Sequence, residues 1–316
     1  MISIDALLDF SIFFSFDRSG YERHQKHFDP RDQKMRLDGK VCLVTGANAG
    51  LGYETAIGLA KLGARVVLLC RNPEKGAEAA RKIQEQTQNQ FVSFAQLDVS
   101  DLSSVRNFVE QFSEPRVDVL IHNAGILPSA RSVTKEGIEM TLATHGVGPF
   151  LLTYLLMPKL RASQDARVIT VSSGGMYLQP LDLKNIQADQ GSYSGVTAYA
   201  NTKRAQVILN ELWATNESYS GVKFNAMHPG WAATPGVKKS LPTFWGFLKS
   251  RLRTPAQGAD TAIWLAASDS VKNISGKFWF DRKQVPTHLL PWTKESKQER
   301  KKLWDLLVDL SGLNIS

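Results

Sequence analysis

The chain has 316 residues, 43% of them hydrophobic and 22% charged, a globular balance with room for one large domain or two ordinary ones. A formal net charge of +8 raises nucleic acid or anionic lipid as partners. The basic residues are scattered, however. Their densest groups (Lys238 with Lys239; Lys249, Arg251 and Arg253; the stretch 294–302) match no nucleic-acid motif, so nucleic acid is set aside.

Residues 1–36 stand apart. Ile4, Leu7, Leu8, Phe10, Ile12, Phe13, Phe14 and Phe16 make a short apolar segment that Asp5 and Asp9 interrupt. It is too short and too acidic for a membrane span, and it lacks the basic start of a secretory signal. The expectation is a helix packed back on the body. The alternative is an interfacial helix in which residues 1–16 touch a membrane surface. Residues 17–36 are polar, carry Pro30, and read as a connector.

From Leu37 short apolar runs alternate with helical runs, the pattern of a parallel sheet with helices on both faces. Strands are expected at 41–45, 65–70, 91–97, 117–121, 167–171, 222–227 and 276–280. Helices are expected at 50–62, 73–86, 102–112, 135–160, 198–215 and 255–267. The fold class is therefore α/β, a single doubly wound, Rossmann-type sheet over residues 37–283. The 1–36 segment precedes it, and a 284–316 tail with an amphipathic helix follows. Cys42 and Cys70 fall in adjacent expected strands, roughly 13 Å apart at the usual rise per residue. That exceeds the Cα reach of a disulfide, about 7 Å. They read as reduced thiols, which points to an intracellular, cytoplasmic setting.

The first strand runs into Thr45-Gly46-Ala47-Asn48-Ala49-Gly50-Leu51-Gly52 and then a helix. Glycines let the backbone turn tightly against a pyrophosphate, and the helix N-terminus supplies N–H groups and positive dipole. The second strand ends in Leu69-Cys70-Arg71-Asn72, with no acid for a ribose 2′-hydroxyl. The Arg71 guanidinium suits a 2′-phosphate, so NADP is favoured over NAD. Tyr199 and Lys203 are four apart on an expected helix and share a face. A phenol titrates near ~10, and a fixed cation favours the phenolate. Lowering that value by about 3 units takes roughly 4 kcal/mol, within reach of an ammonium and a cofactor cation together. The product is a general acid/base working near neutral pH.

These motifs together resemble the short-chain dehydrogenase/reductase family over nearly all of residues 37–283. The resemblance assigns Gly46, Asn48, Ala49, Gly50, Leu51 and Gly52 to the cofactor loop, and Asp98 and Val99 to an adenine contact. Asn123, Ala124 and Gly125 match the motif after strand four. Pro229, Gly230 and Thr234 match a segment whose threonine meets the nicotinamide amide. It implies that Ser173 holds the substrate oxygen, that Tyr199 passes the proton, and that Lys203 lowers the tyrosine pKa and binds the nicotinamide ribose. Ser172 competes with Ser173 for the serine role, and the second of the pair matches the family position.

Two positions depart from the pattern. His122 stands where a second Asn is usual. His145 stands where the family has a helix Asn that holds a water relaying protons to the lysine. A neutral imidazole can also hold a water, so His145 is counted with the catalytic residues; the other readings are weakened catalysis and an ordinary satisfied structural histidine. No metal is called for. The function expected is oxidoreduction of an alcohol or carbonyl, the alternative a dinucleotide-binding scaffold that kept the fold. Leu241, Phe244, Trp245, Phe247 and Leu248 fall where such folds cover the substrate, which suggests an apolar small molecule. Oligomeric state is open, a homo-oligomer included.

Overall fold

The short apolar runs become strands: β1 (Val41–Thr45), β2 (Arg65–Cys70), β3 (Val92–Gln96), β4 (Val119–His122), β5 (Ala166–Val171), β6 (Val222–Met227), β7 (Lys277–Phe280) and β8 (Lys283–Val285). In the computed structural model, which describes residues 12–314, they form one sheet in the order β3-β2-β1-β4-β5-β6-β7-β8. The first seven are parallel and β8 is antiparallel to β7. β8 was not expected from the sequence. It is three residues long and joined to β7 by Asp281 and Arg282, both at positive φ (46° and 61°). Neither residue is the glycine that would flag such a turn.

Alternation along the strands feeds a large core on each face of the sheet, and Ala226, Phe278 and Phe280 join a third, smaller cluster with Phe16. Cys42 and Val44 face one side of β1 with Val66 and Leu68 of β2. There they meet α3 (Gly50–Lys61), α4 (Pro73–Thr87) and α10 (Pro255–Ala267). Leu43 and Leu120 face the other side. They meet α5 (Leu102–Gln111), α6 (Met140–Arg161), α7 (Gly195–Thr215) and α11 (Lys297–Ser311). Both cysteines are free and buried, and burial raises both thiols, Cys70 to about 11. Helix α6 is long and apolar enough to cross a membrane, but it is buried for most of its length as a core helix. Leu303 and Leu307 seat α11 in the same core.

Two expectations need correction. The helix expected at 135–160 begins at Met140. Gly137 at φ +80° breaks the chain, and buried Glu139 caps the helix by accepting from Leu142 N–H. The 17–36 stretch is not a mere connector. α1 (Ile12–Phe16) and α2 (Arg18–His24) form a strap against the body, with Asp17 capping α2. Phe16, Asp17, Tyr21 and His24 are buried. Of the apolar segment at 1–16, residues 1–11 lie outside the described residues.

Candidate active site

The sheet reverses its winding between β1 and β4, where doubly wound folds open a crevice at their carboxyl ends. A cavity of about 1510 Å³ lies there. Its floor is the turn after β1. Gly46 and Gly50 sit at φ +65° and +60°, a region open to glycine at no steric cost. Ala49 at the N-cap of α3 offers no side-chain acceptor, so a bound anion would suit the first N–H groups of that helix. Gly52 lies behind the cavity wall. A Cβ there would fall 2.4 Å from Asn123 Nδ2 and 2.6 Å from Gly46 O. Asn123 clamps the turn, donating its amide to Thr45 O at 2.9 Å and Gly46 O at 3.3 Å. Thr45 Oγ1 accepts from the N–H groups of Asn123 and Ala124, each at 3.0 Å.

At one end of the cavity lie Arg71, Asn72, Lys75, Asp98 and Val99. The Arg71 side chain is 75% exposed, with its Nε 3.8 Å from Asp98 Oδ2. Asp98 is itself held, accepting from Ser100 Oγ at 2.6 Å and Ser100 N–H at 3.0 Å. Asn72 caps α4 by accepting from Lys75 N–H at 2.8 Å, which brings Lys75 to the cavity beside Arg71. Sequence reasoning missed Lys75; the signal was a second cation in the first turn after strand two.

Ser194 caps α7 and places Tyr199 near its start, with Lys203 one turn on. Lys203 Nζ lies 5.5 Å from the Tyr199 ring centroid. Ser173 and Ser172 part company at the end of β5. Both line the cavity, but Ser172 is buried and its Oγ donates to Lys203 O at 2.9 Å, whereas the Ser173 hydroxyl hydrogen-bonds Tyr199. Burial pushes the Tyr199 phenol up, and the Ser173 hydrogen bond only partly opposes it. Burial also brings the Lys203 amine down to about 7.

His145 lies in a π turn (Ala143–Val147) of α6, an irregularity frequent at functional sites. Its Nε2 accepts from Ile126 N–H at 3.0 Å. The proton therefore sits on Nδ1, which donates to Thr202 Oγ1 at 2.9 Å. Thr202 Oγ1 in turn reaches Ala198 O and Tyr199 O. Burial, and then the charge of Lys203, hold this imidazole well below its usual pKa. The ring is neutral and keeps no nitrogen for a water. His145 packs edge-on against Tyr199 at 5.4 Å and, like Gly52, does not line the cavity. His122 is also buried, its Nε2 2.7 Å from Thr153 Oγ1.

The remaining wall is Pro229, Gly230, Trp231, Ala232 and Thr234. Gly230 is at φ +68°, and a Cβ there would lie 2.5 Å from Arg253 Nε and 2.7 Å from Phe16 O. Trp231 N–H donates to Phe16 O, and Arg253 N–H to Trp231 O, each at 2.8 Å. Thr234 caps α8 (Pro235–Ser240) through Val237 N–H, and its side chain lies against Gly50. Beyond comes α9 (Pro242–Leu248). Of the five apolar residues expected to cover a substrate, Leu241 and Phe244 line the cavity, and Phe247 is 83% exposed. Met140, Leu178, Val196 and Trp231 add apolar lining that spacing alone did not single out.

All the other expected site residues, Asn48, Ala49, Leu51, Val99, Ala124, Gly125 and Pro229 among them, line this one cavity. The short chain dehydrogenase family profile matches residues 40–243. The chain is 41% identical to the human dehydrogenase/reductase SDR family member 12 over 94% of each chain. It is 37% identical to human retinol dehydrogenase 11, covering 89% of this chain and 88% of that one. A protein of Mycobacterium paratuberculosis superposes with a TM-score of 0.72 at 27% identity, over 90% of this chain and 98% of that one. An Escherichia coli protein described as a short chain dehydrogenase complexed with NADPH gives 0.64 at 26%, over 78% and 98%. Sheet order, cavity and sequence agree: the chain belongs to the short-chain dehydrogenase/reductase family of oxidoreductases.

Proposed function

We propose that the protein is an NADP(H)-dependent oxidoreductase that interconverts an alcohol and a carbonyl on an apolar small molecule. The observation that carries this reading is the convergence of Ser173, Tyr199 and Lys203 on the cavity floored by the glycine turn. A dinucleotide fits that floor: positive-φ glycines, an α3 N-terminus without a capping side chain, and Arg71 with Lys75 at the far end. Bound there, it supplies the hydride and, when oxidised, a positive ring. Gly46, Asn48, Ala49, Gly50 and Leu51 would hold its pyrophosphate, Asp98 and Val99 its adenine, and Thr234, Pro229 and Gly230 its nicotinamide end. Ser173 donates a hydrogen bond to the substrate oxygen, and the Tyr199 hydroxyl passes its proton to that oxygen during carbonyl reduction. The Lys203 ammonium favours the phenolate left behind.

The preference for NADP over NAD is supported by two cations of the cavity lining, Arg71 and Lys75, which suit a 2′-phosphate. The apolar substrate follows from Met140, Leu178, Val196, Trp231, Leu241 and Phe244 around the opening, and the retinol dehydrogenase relatives are consistent with it. The test is a screen of NADPH oxidation with retinal, long-chain aldehydes and steroid ketones. Turnover of at least one supports the reading. NADPH binding without turnover across all three classes favours the alternative, a nucleotide-binding protein of weakened catalysis, for which the fully committed His145 ring is the supporting observation.

A further inference from the structure

The polar groups behind Lys203 form a closed set that the chemistry above does not use. Lys203 is 2% exposed and donates to Val171 O at 2.9 Å and to Gln206 Oε1 at 3.0 Å. Gln206 is 3% exposed and donates its amide to His145 O at 2.9 Å. Residues three apart on a helix share a face, so Gln206 meets Lys203 on α7 and carries the contact on to the π turn of α6. The His145 ring is pinned in parallel through Thr202. Protein atoms therefore fill both ends of the gap between that turn and the lysine.

The groups facing Lys203 are few. Tyr199 comes from its own helix, His145 from α6, Ser172 and the Val171 carbonyl from β5. Among the described residues no carboxylate forms an ion pair with it, and burial is the cause of its lowered pKa. Gln206 Oε1 is thus one of two neutral acceptors that hold the buried ammonium. We propose that Gln206 is a positioning residue: its amide bridges the His145 carbonyl to the Lys203 ammonium, aims that ammonium at the cavity, and helps keep it protonated. Proton exchange of Lys203 then runs through the cavity side alone. The inference rests on the oxidoreductase reading, which is what gives the Lys203 charge a task.

A hydrogen bond to the charged form of an amine favours that form. Replacing Gln206 by Leu removes the acceptor at similar volume, so Lys203 should lose its proton at lower pH. Gln206→Glu puts a carboxylate there and should act in the opposite direction. The experiment measures NADP⁺ affinity by quenching of tryptophan fluorescence from pH 5.5 to 10, with Trp231 in the cavity wall as a reporter. NAD⁺ runs in parallel, to separate ionisation of the 2′-phosphate from that of the lysine. Wild-type affinity should fall as Lys203 deprotonates. In Gln206→Leu that limb should move down by about one pH unit or more, and in Gln206→Glu it should move up. A packing role alone would scale affinity equally at every pH and leave the limb in place, which overturns the proposal. If Gln206→Leu fails to fold, an unmoved limb in Gln206→Glu overturns it equally. Wild-type protein that binds neither nucleotide at any pH defeats the oxidoreductase reading itself. Wild-type binding with unmoved limbs defeats only the role of Gln206.

Discussion

The cavity has two walls built by opposite means. The wall after β1 is backbone: positive-φ glycines, a close approach at Gly52, and a neutral clamp from Asn123. The wall at 229–234 is held from behind by buried charge. Arg253 is fully buried, donates to the carbonyls of Ser15, Phe16 and Asp17, and pairs in bidentate fashion with Asp281 at 2.6 and 2.8 Å. His24 Nδ1 meets the same carboxylate at 2.6 Å. Arg251 pairs with Asp17 at 2.7 Å, and Arg282 ties Asp260 to Asp32. Phe16 wedges among His228, Trp231 and Phe280, and its ring fills the space over Gly174, next to Ser173. A neutral backbone wall tolerates changes of charge but not of volume. A wall held by buried ions fails when one partner goes, because the others are left uncompensated.

The largest expected effect breaks the charged wall. Arg253→Met takes the bidentate partner from Asp281, which keeps His24, and removes a donor from each of three carbonyls; it should lower unfolding free energy by about 3–5 kcal/mol in denaturant titration. On the other wall Gly52→Ala forces its Cβ into Asn123 and Gly46 O. It should cost about 1–3 kcal/mol of stability, with nucleotide affinity falling as the turn shifts. Equal stability losses in the two variants would erase the contrast drawn between the walls.

Lys203 sits at the seam and sharpens the comparison through pH. Its folded pKa of about 7 lies below the unfolded value near ~10.4. Burial therefore opposes folding in full below pH 7, and the penalty fades as pH rises toward the unfolded value. Lys203→Met should abolish turnover yet raise the unfolding free energy at pH 6 by about 1–3 kcal/mol after the lost hydrogen bonds are counted. That gain should vanish toward pH 10. A variant less stable than wild type at pH 6 would contradict the assigned pKa direction. The smallest effect lies at the exposed nucleotide end. Arg71→Asp should shift the NADPH-to-NADH ratio of kcat/KM by about tenfold toward NADH, with Lys75 limiting the change. An unchanged ratio would remove Arg71 from nucleotide selection.

The same contrast explains what the sequence disclosed. The glycine wall was legible because each feature is local: Gly46 to Gly52 are contiguous and follow an apolar strand. Tyr199 and Lys203 were legible because helical spacing alone puts them together. The charged wall was not, since it joins Ser15, Phe16 and Asp17 to Arg253, and His24 to Asp281, across most of the chain. No periodicity marks a pair so far apart, so residues 17–36 looked like a polar connector. The commitment of His145 was hidden for a similar reason. Its partners, Ile126 and Thr202, come from a loop and from another helix.

The central claim is hydride transfer to a carbonyl with Tyr199 as proton donor. The most direct test incubates the protein with NADPH deuterated at the transferable C4 position and the best aldehyde or ketone from the screen. Mass spectrometry then reads deuterium on the carbinol carbon of the product. Wild type should deliver one deuterium, as deuteride, per turnover. Tyr199→Phe should bind NADPH with unchanged affinity but form labelled alcohol about 10²-fold more slowly, or slower still. Labelled product at the wild-type rate from Tyr199→Phe, or unlabelled product from wild type, would contradict the mechanism.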